Sequence, residues 1–231
     1  MQKVIITNKN IGETPLECLE RIRIEYVIAS DVPMTYAGRL DPLAEGELII
    51  LVGDECKNKE KYLGFDKEYE IDVLFGISTD TYDVLGMIDG VKIAEIGEID
   101  LNKYIGKFKQ EYPRYSSRII AMKEVPEEMP TKDIEIYSIE NLEKREMTGA
   151  EVLKQVKENI SLVKGDFRQR EIVEKWAEVI SNELAVANFP ILKLKVKCSS
   201  GTYMRSLAKR IGEDEGTVAL AMGIKRTKIF Y

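Results

Sequence analysis

A single carboxylate in a tightly turned segment is the first candidate for chemistry in this chain. Asp41 lies in the stretch TYAGRLDPLAEGELIILVG, residues 35–53, where Gly38 and Pro42 are typical of a sharp turn. The sequence contains no histidine, which excludes nucleophile systems that need an imidazole base. Any catalysis must therefore use Asp, Glu, Tyr, Lys, Arg, Ser or Cys. Taken alone, Asp41 is either the reactive group of an active site or a residue that stabilises a turn.

A second candidate, Arg205, lies where a helix would not require it. The segment from about Thr202 to Gly212 has the apolar spacing of an amphipathic helix, and Arg205 and Lys209 fall outside its apolar stripe. The first turn of a helix attracts negative charge, so an arginine there does not serve helix stability. Arg205 is therefore either a sign of a carboxylate or phosphate nearby or a solvated surface arginine.

A third candidate, Tyr69, belongs to a predicted strand, KEYEIDVLFG at residues 67–76. Its side chain alternates in step with Ile71, Val73 and Phe75, which is the pattern of a half-buried strand. Tyr69 is therefore expected to face the same way as core residues, and it is either a core aromatic or part of a site.

Hydrophobic periodicity and capping signals predict the elements that must position these residues. We predict strands at residues 3–7, 47–52, 67–76, 134–139 and 192–198, and helices at about 14–29, 101–108, 148–160, 170–182 and 202–212. The first helix is expected to bury Leu16, Leu19, Ile22 and Tyr26. With no internal repeat, this order predicts a single α+β domain over residues 1–231, with a central, mostly antiparallel mixed β-sheet flanked by helices.

Composition and charge narrow the possible functions. The 231 residues are 44% hydrophobic, with a net charge of −6, three cysteines without metal-binding spacing, and no signal peptide or membrane-length apolar run. We therefore expect a cytoplasmic globular protein. Asp80 and Asp83 supply two carboxylates without a third ligand, so no metal site is predicted, and they are interpreted as ordering a loop. Residues 191–231 nevertheless carry a net charge of +6, which suits either a phosphate-binding face or a solvated surface.

The sequence resembles the TruB family of tRNA pseudouridine synthases. The resemblance is carried by YAGRLDPLAEGELIILVG, KEYEIDVLFGISTDTYDVLG, YPRYSS, CSSGTYMRSLAKRIG and LAMGIKRTKIF, which occur in family order over residues 35–230. The GRLD segment alone is less specific, because other pseudouridine synthase families share an RLD turn.

The resemblance implies an isomerase that converts uridine 55 in the T-loop of tRNA to pseudouridine, without cofactor or metal. It places the nucleophile at Asp41, an aromatic ring under the flipped base at Tyr69, and a guanidinium that holds Asp41 ionised and oriented at Arg205. It also implies a pseudouridine synthase-like fold and a monomer that binds the T-stem-loop. The expected RNA-binding residues are Tyr36, Arg39, Lys193, Lys195, Lys197, Tyr203 and Lys209.

The chain departs from the family pattern at three places. Tyr36 stands where members commonly have a histidine, the segment NKNIGETPLECL matches the usual KPxGxTS pattern loosely, and RIIAMKEVPEEMP replaces the usual lysine-glycine stretch. No C-terminal PUA domain is expected, so RNA binding would rest on the catalytic domain. Two alternatives stay open: a synthase that acts on ribosomal RNA, and a non-catalytic RNA-binding or RNA-folding protein with the same fold.

Overall fold

A computed structural model describes residues 3–116, 126 and 128–231, and these residues are organised around one eight-stranded sheet. The strands are β1 Lys3–Lys9, β2 Met34–Ala37, β3 Ala44–Val52, β4 Asp66–Phe75, β5 Ile77–Thr79, β6 Ile88–Val91, β7 Gly106–Glu111, β8 Thr131–Thr148, β9 Asn188–Cys198 and β10 Ala219–Phe230. The helices are α1 Pro15–Glu25, α2 Lys59–Leu63, α3 Gly149–Ser161, α4 Gln169–Val179, α5 Glu183–Val186 and α6 Met204–Asp214. Short 3₁₀ helices occupy Gly53–Asn58 and Leu101–Tyr104.

The sheet confirms the predicted fold class. Its order is β1-β3-β10-β4-β9-β8-β7, with β2 paired to β3, while β5 and β6 form a separate hairpin. All of its pairings are antiparallel except that of β3 with β10. The long, non-sequential β10 therefore joins the N-terminal strands, which carry the turn of Asp41, to the strand that carries Tyr69.

Helices cover the two faces of the sheet at different places. On one face α6 packs Leu207 and Ile211 into a core with Ile71 of β4. On the other, α3 and α4 pack against the far end of the strands, and the indole of Trp176 is fully buried there. Its Nε1–H donates to the Gly86 carbonyl oxygen at 3.0 Å. None of the helices in the described ranges has the length and apolar character that a bilayer crossing requires.

The helix starts predicted near residues 14, 148, 170 and 202 are confirmed to within two residues, and the end predicted for the first helix is wrong. Thr14 opens α1 with a complete capping box. However, α1 ends at Glu25 rather than near residue 29, and Leu16 and Tyr26 are 59% and 47% exposed. The buried positions are instead Pro15, Cys18, Leu19 and Ile22. This i, i+3, i+4, i+7 stripe leaves Leu16 on another face of the helix, and Tyr26 is the C-cap residue after the last helical position.

The helix predicted at residues 101–108 is also wrong. One 3₁₀ turn, Leu101–Tyr104, is followed by strand β7, and Gly106 at φ +112° separates the two. Strand β7 pairs with β8 through six register partners, and this long-range pairing overrides the local helical pattern. Strand β8 is likewise much longer than the predicted segment, at 18 residues.

Gly46 lies opposite Arg226 in the parallel pair of β3 and β10. Its φ is +107°, and a Cβ at this position would lie 2.1 Å from the backbone oxygen of Arg226. Gly46→Ala is therefore expected to lower the free energy of unfolding by about 3 kcal/mol, through backbone strain and separation of the parallel pair. Urea denaturation would measure this loss. Gly97, where a Cβ would meet no atom within 4 Å, is the matched control, and an equal loss for Gly97→Ala would contradict the explanation.

Candidate active site

The turn between β2 and β3 presents Asp41 to a cleft of about 520 Å³. Gly38 begins this turn at φ +75°, a conformation that favours glycine. The Ala44 N–H donates to the Asp41 carbonyl oxygen at 3.0 Å, which closes the turn. The side chain of Asp41 is 36% exposed, so its carboxylate is fixed at the base but open to a ligand.

Arg205, in the first turn of α6, is buried against the Asp41 carboxylate. Its Nε lies 2.9 Å from Asp41 Oδ2 and 3.6 Å from Asp83 Oδ2, and the residue is 3% exposed. The Nε–H bond is not directed at either oxygen, so the contacts are ion pairs rather than aligned hydrogen bonds. Nη1 donates to the Thr81 carbonyl oxygen at 2.9 Å. The anion expected near Arg205 is thus Asp41, and the side chain excluded from the apolar stripe is nevertheless buried.

Burial and neighbouring charges shift the pKa values of Arg205 and Asp83 in opposite directions. Burial disfavours the charged form of Arg205, but the neighbouring Asp41 and Asp83 carboxylates outweigh it and raise the pKa of Arg205. Burial raises the pKa of Asp83, while the Arg205 charge opposes that rise. Arg205 therefore remains protonated, and its positive charge allows the Asp41 and Asp83 carboxylates to lie close together.

The loop that carries Asp83 is held by its own side chains. Asp83 Oδ1 accepts hydrogen bonds from Thr81 Oγ1 at 2.7 Å and from the Leu85 N–H at 2.9 Å. Asp80 accepts from the Met87 N–H and pairs with Arg168 at 3.1 Å. Both aspartates thus order the loop, and within the described ranges no group of three possible metal-ligating side chains occurs.

Tyr69 lines the same cleft from β4. It is 8% exposed, on the sheet face that also carries Ile71 and Val73. Burial raises the pKa of Tyr69, and the positive charge of Arg226 partly opposes this. The phenol is therefore neutral at physiological pH, with its ring at the cleft wall.

Arg226 is a site residue that the sequence interpretation missed. It is 1% exposed and lines the cleft. Its Nε donates to the Glu47 carbonyl oxygen at 2.6 Å and its Nη2 to the Gly38 carbonyl oxygen at 2.9 Å. The signal was a charged residue two positions after Ile224 on β10, where alternation predicts an inward side chain. Arg226 ties the turn of Asp41 to the central sheet.

Lys9 holds the other side of the same turn and was also missed. Its side chain is buried, and Nζ donates to the carbonyl oxygens of Glu13 at 2.5 Å, Asn10 at 3.0 Å and Pro42 at 3.1 Å. Burial lowers the pKa of Lys9 to about 8. The Gly12 N–H donates to the same Pro42 oxygen at 2.9 Å. The residue after Asp41 is therefore anchored to β1 and the loop that follows it.

Lys9→Met is expected to loosen the turn of Asp41. Three carbonyl oxygens would lose a buried donor, which should lower the free energy of unfolding by about 2 kcal/mol. If Asp41 is the reacting group, kcat should fall about ten-fold, because small displacements of a reacting group are costly. Urea denaturation and steady-state kinetics would measure both effects. Lys3→Met, on the same strand but outside this network, should change neither, and unaltered kcat in folded Lys9→Met would remove Lys9 from the site.

The structure brings only some of the predicted RNA-binding residues to the cleft. Arg39 and Tyr203 line it, and the Tyr203 ring packs edge-on against Tyr112 with 5.4 Å between ring centroids. Tyr36 instead packs beside α1 and the hydrophobic cluster of β3, outside the cleft lining. Lys209 pairs with Glu213 at 2.6 Å on α6. The RNA-binding roles of all four residues stay predictions.

The predicted lysine row lies on the sheet face opposite to Tyr69. In the register of β4 and β9, Tyr69 faces Val196, whereas the lysines alternate with the apolar residues. Lys193 Nζ lies 2.9 Å from Glu70 Oε2, and Lys195 Nζ lies 3.5 Å from Glu68 Oε2. Lys197 Nζ lies 4.3 Å from the centroid of the Phe230 ring. Two of the three ammonium groups are thus paired with carboxylates, and the row is separated from Asp41 by the sheet.

The cleft itself is rich in positive charge, although the whole chain is acidic. The charged residues that line it are Arg39, Asp41, Glu60, Lys67, Lys132, Arg205 and Arg226. Four cations and one anion around the Asp41–Arg205 pair suit a polyanionic ligand. The site combines a positioned carboxylate, a buried guanidinium and an aromatic ring on a sheet scaffold.

Comparison with a family model identifies the class of protein that has this scaffold. Residues 31–167 match the model described as TruB family pseudouridylate synthase, N-terminal domain. Because this match covers more than half of the chain, the chain belongs to the TruB family of pseudouridylate synthases.

Particular relatives extend the similarity to nearly the whole chain. The tRNA pseudouridine synthase B of Borreliella burgdorferi strain ZS7 is 30% identical over 230 residues, covering 97% of this chain and 68% of the relative. The protein of the same name from Fusobacterium nucleatum is 28% identical over 241 residues, covering 99% and 68%. The one from Nostoc is 29% identical over 226 residues, covering 92% and 62%. The chain thus spans about two thirds of the length of these relatives.

Solved structures share the fold at lower sequence identity. The Cbf5 chain of a Cbf5-Nop10-Gar1 complex superposes with a TM-score of 0.57 at 18% identity, covering 98% of this chain and 48% of that chain. A chain of an H/ACA RNP bound to a substrate RNA containing 2'-deoxyuridine gives a TM-score of 0.54 at 17% identity, covering 98% and 47%. The chain spans about half the length of these proteins, and the likeness establishes the fold.

Proposed function

We propose that this protein converts uridine 55 in the T-loop of tRNA to pseudouridine, with Asp41 as the nucleophile. The observation that carries the proposal is the Asp41–Arg205 ion pair of 2.9 Å in a cleft with positively charged walls. Membership of the TruB family and relatives named tRNA pseudouridine synthase B support the reaction and the choice of tRNA. In this proposal residues 1–231 act as one catalytic domain.

The reaction needs one carboxylate and no external reagent. The N1–C1′ bond of uridine breaks, the uracil turns, C5 bonds to C1′, C5 loses its proton and N1 gains one. Asp41 either attacks C1′ or removes the C2′ proton. A second carboxylate acting as general acid is not required, because the uracil stays bound rather than leaving, in contrast to glycoside hydrolysis. Arg205, held on Thr81, fixes the Asp41 carboxylate toward the sugar.

Tyr69 has the position of a platform for the flipped base. A uridine that leaves its stack loses a few kcal/mol, and an aromatic ring in the pocket offsets part of that cost. The ring of Tyr69 lines the cleft with Asp41 and Arg205. Its neutral hydroxyl is positioned to assist removal of the C5 proton once C5 is bonded to C1′.

A tritium-release assay tests the proposal directly. A T-stem-loop RNA with uridine labelled at C5 by tritium should release label to solvent when incubated with the protein, and an RNA with cytidine at the target position should not. RNA that binds but releases no tritium would overturn the proposed activity and favour a non-catalytic RNA-binding protein. Mapping of pseudouridine in total RNA treated with the protein would separate tRNA from ribosomal RNA as substrate.

A further inference from the structure

Two buried cations lie on the floor of the cleft. Lys67 is 4% exposed, Arg226 is 1% exposed, and both line the cleft. Lys67 Nζ donates to the Leu63 carbonyl oxygen at 3.0 Å, and Arg226 donates to the carbonyl oxygens of Glu47 and Gly38. In the part of the chain that the structure describes, neither cation forms an ion pair. Both cations therefore hydrogen-bond to backbone carbonyl oxygens, and within the described ranges neither is in ion-pair contact with a carboxylate.

The two buried cations lower the stability of the free protein. A buried charge without a counter-ion destabilises a fold, and two neighbouring cations also repel each other. Burial, followed by the charge of Arg226, lowers the pKa of Lys67 to about 8. The other groups that face Lys67 are Lys132 on β8, Asp66 on β4 and Cys198 on β9. Two adjacent buried cations in a functional cleft indicate that an anion binds there.

The turn of Asp41 leaves an open space in front of the two cations. A Cβ on Gly38 would lie 3.5 Å from Arg226 Nη1 and 3.9 Å from Lys67 Cε. Because Gly38 has no side chain, this space stays part of the cleft. The Gly38 backbone, the Arg226 guanidinium and the Lys67 ammonium group surround this space, and together they are called the cradle.

The location of the cradle beside Tyr69 and Asp41 indicates which anion binds there. Lys67 precedes Tyr69 by two residues on the same face of β4, and Arg226 is the register partner of Tyr69 across β10. A nucleotide whose base lies on Tyr69 and whose C1′ lies at Asp41 carries its own phosphodiesters to this wall. A phosphodiester oxygen accepts hydrogen bonds from a guanidinium and an ammonium group together.

We propose that Lys67 and Arg226 form a subsite for one RNA phosphodiester that flanks the target uridine. This inference rests on the proposed function and names how the same site holds its substrate. On binding, the phosphodiester supplies the missing counter-ion, and the subsite holds the flipped nucleotide by its backbone while Tyr69 holds the base.

A charge-removal cycle tests the subsite. T-stem-loop RNAs carry one methylphosphonate, which is neutral, on the 5′ or the 3′ side of the target uridine. In the Asp41→Asn background, one of the two substitutions should weaken binding about ten-fold, the effect expected for loss of one buried charged contact. Lys67→Met should weaken binding of the unmodified RNA by a similar factor and should be clearly less sensitive to that methylphosphonate, with Arg226 accounting for the remaining sensitivity. Equal sensitivity with and without Lys67 would overturn the subsite.

Control variants separate binding from folding. Lys154→Met removes an exposed lysine of α3 that pairs with Glu158 and should keep both affinity and sensitivity. Lys67→Arg keeps the charge and should retain the sensitivity. Lys67→Met should be at least as stable to heat as the unaltered protein, since it removes a buried charge that Arg226 repels. A lower melting temperature together with unchanged phosphate sensitivity would assign Lys67 a structural role only.

The pH dependence of RNA binding tests the same subsite without a substitution at Lys67. Above pH 8 the Lys67 side chain of the free protein loses its proton, so the preference for phosphodiester over methylphosphonate should shrink between pH 7 and pH 9. A constant preference would contradict the role of Lys67. Tritium release from unmodified RNA without any methylphosphonate effect on binding would overturn the subsite and keep the proposed function. A methylphosphonate effect that depends on Lys67, in a protein that releases no tritium, would keep the subsite and overturn the proposed function.

Discussion

Asp41→Asn is expected to lower kcat for pseudouridine formation by about 10⁴-fold or more, which is typical of the loss of a nucleophile. The asparagine amide neither attacks C1′ nor accepts the C2′ proton, so both routes open to Asp41 are closed. Because the replacement has the same shape and lies at a partly exposed position, affinity for the T-stem-loop should stay within about three-fold of the unaltered protein. Tritium release and equilibrium binding to the same RNA would measure the two effects separately.

An exposed aspartate provides the matched control for this experiment. Asp54 is 67% exposed at its side chain and pairs with Lys57 at 2.8 Å in the 3₁₀ helix after β3. Asp54→Asn should retain full tritium release, because surface ion pairs contribute little and this one lies outside the cleft. Retention of more than a few per cent of kcat by Asp41→Asn would assign the chemistry to another group.

Local patterns predicted β3, β4 and β9 well because each signal lies within a few residues, whereas β2 and β10 were not predicted. Alternation placed Tyr69 on the core face of β4, and the same pattern placed the apolar residues of β9 inward. The unusual place of Arg205 in its helix indicated an anion nearby, and the structure puts Asp41 there. These residues were predictable because secondary structure fixes which way they face.

The residues that sequence patterns missed act through contacts between distant segments. Lys9 reaches the Pro42 carbonyl across 33 positions, and Arg226 reaches Gly38 across 188. Their partners are backbone oxygens, which every residue has, so no side-chain type along the chain marks the contact. Only the pairing of β10 with both β3 and β4 brings Arg226 to the turn.

The lysine row also shows that the sequence of one strand does not reveal the partners on the neighbouring strand. Alternation along β9 correctly separated the lysines from the core face. It could not show that β4 would place Glu68 and Glu70 on the same side, where they pair with Lys195 and Lys193. Strand register, rather than the charge of one strand, determines which cations remain available to a phosphate.

Arg205→Met is expected to cause the second large loss, with kcat reduced about 10³-fold. The guanidinium is the only cation that the structure places in ion-pair contact with the Asp41 and Asp83 carboxylates within the described ranges. Methionine keeps much of the side-chain volume but leaves the two acids facing each other. The free energy of unfolding should fall by about 3 kcal/mol, as when one member of a buried ion pair is removed.

The pH dependence of that destabilisation separates the two roles of Arg205. Burial raises the pKa of Asp83, and Arg205 opposes this rise, so the variant should have a still higher pKa at Asp83. The native variant then binds a proton that the unfolded chain releases, and its stability falls as pH increases from about 4 through that raised pKa. The destabilisation should therefore be smaller at pH 5 than at pH 8, measured by urea denaturation at both values.

Removing the second carboxylate should restore stability without restoring catalysis. In Arg205→Met/Asp83→Asn the proton uptake at position 83 disappears, so the stability of the double variant should not show the fall with increasing pH that this carboxyl causes in Arg205→Met. At pH 8 the double variant should be more stable than Arg205→Met by about 2 kcal/mol. Tritium release should remain near the level of Arg205→Met, because Asp41 still has no guanidinium to orient it. Recovery of kcat in the double variant would show that Arg205 only neutralises Asp83, whereas recovery of stability alone shows that it acts on Asp41.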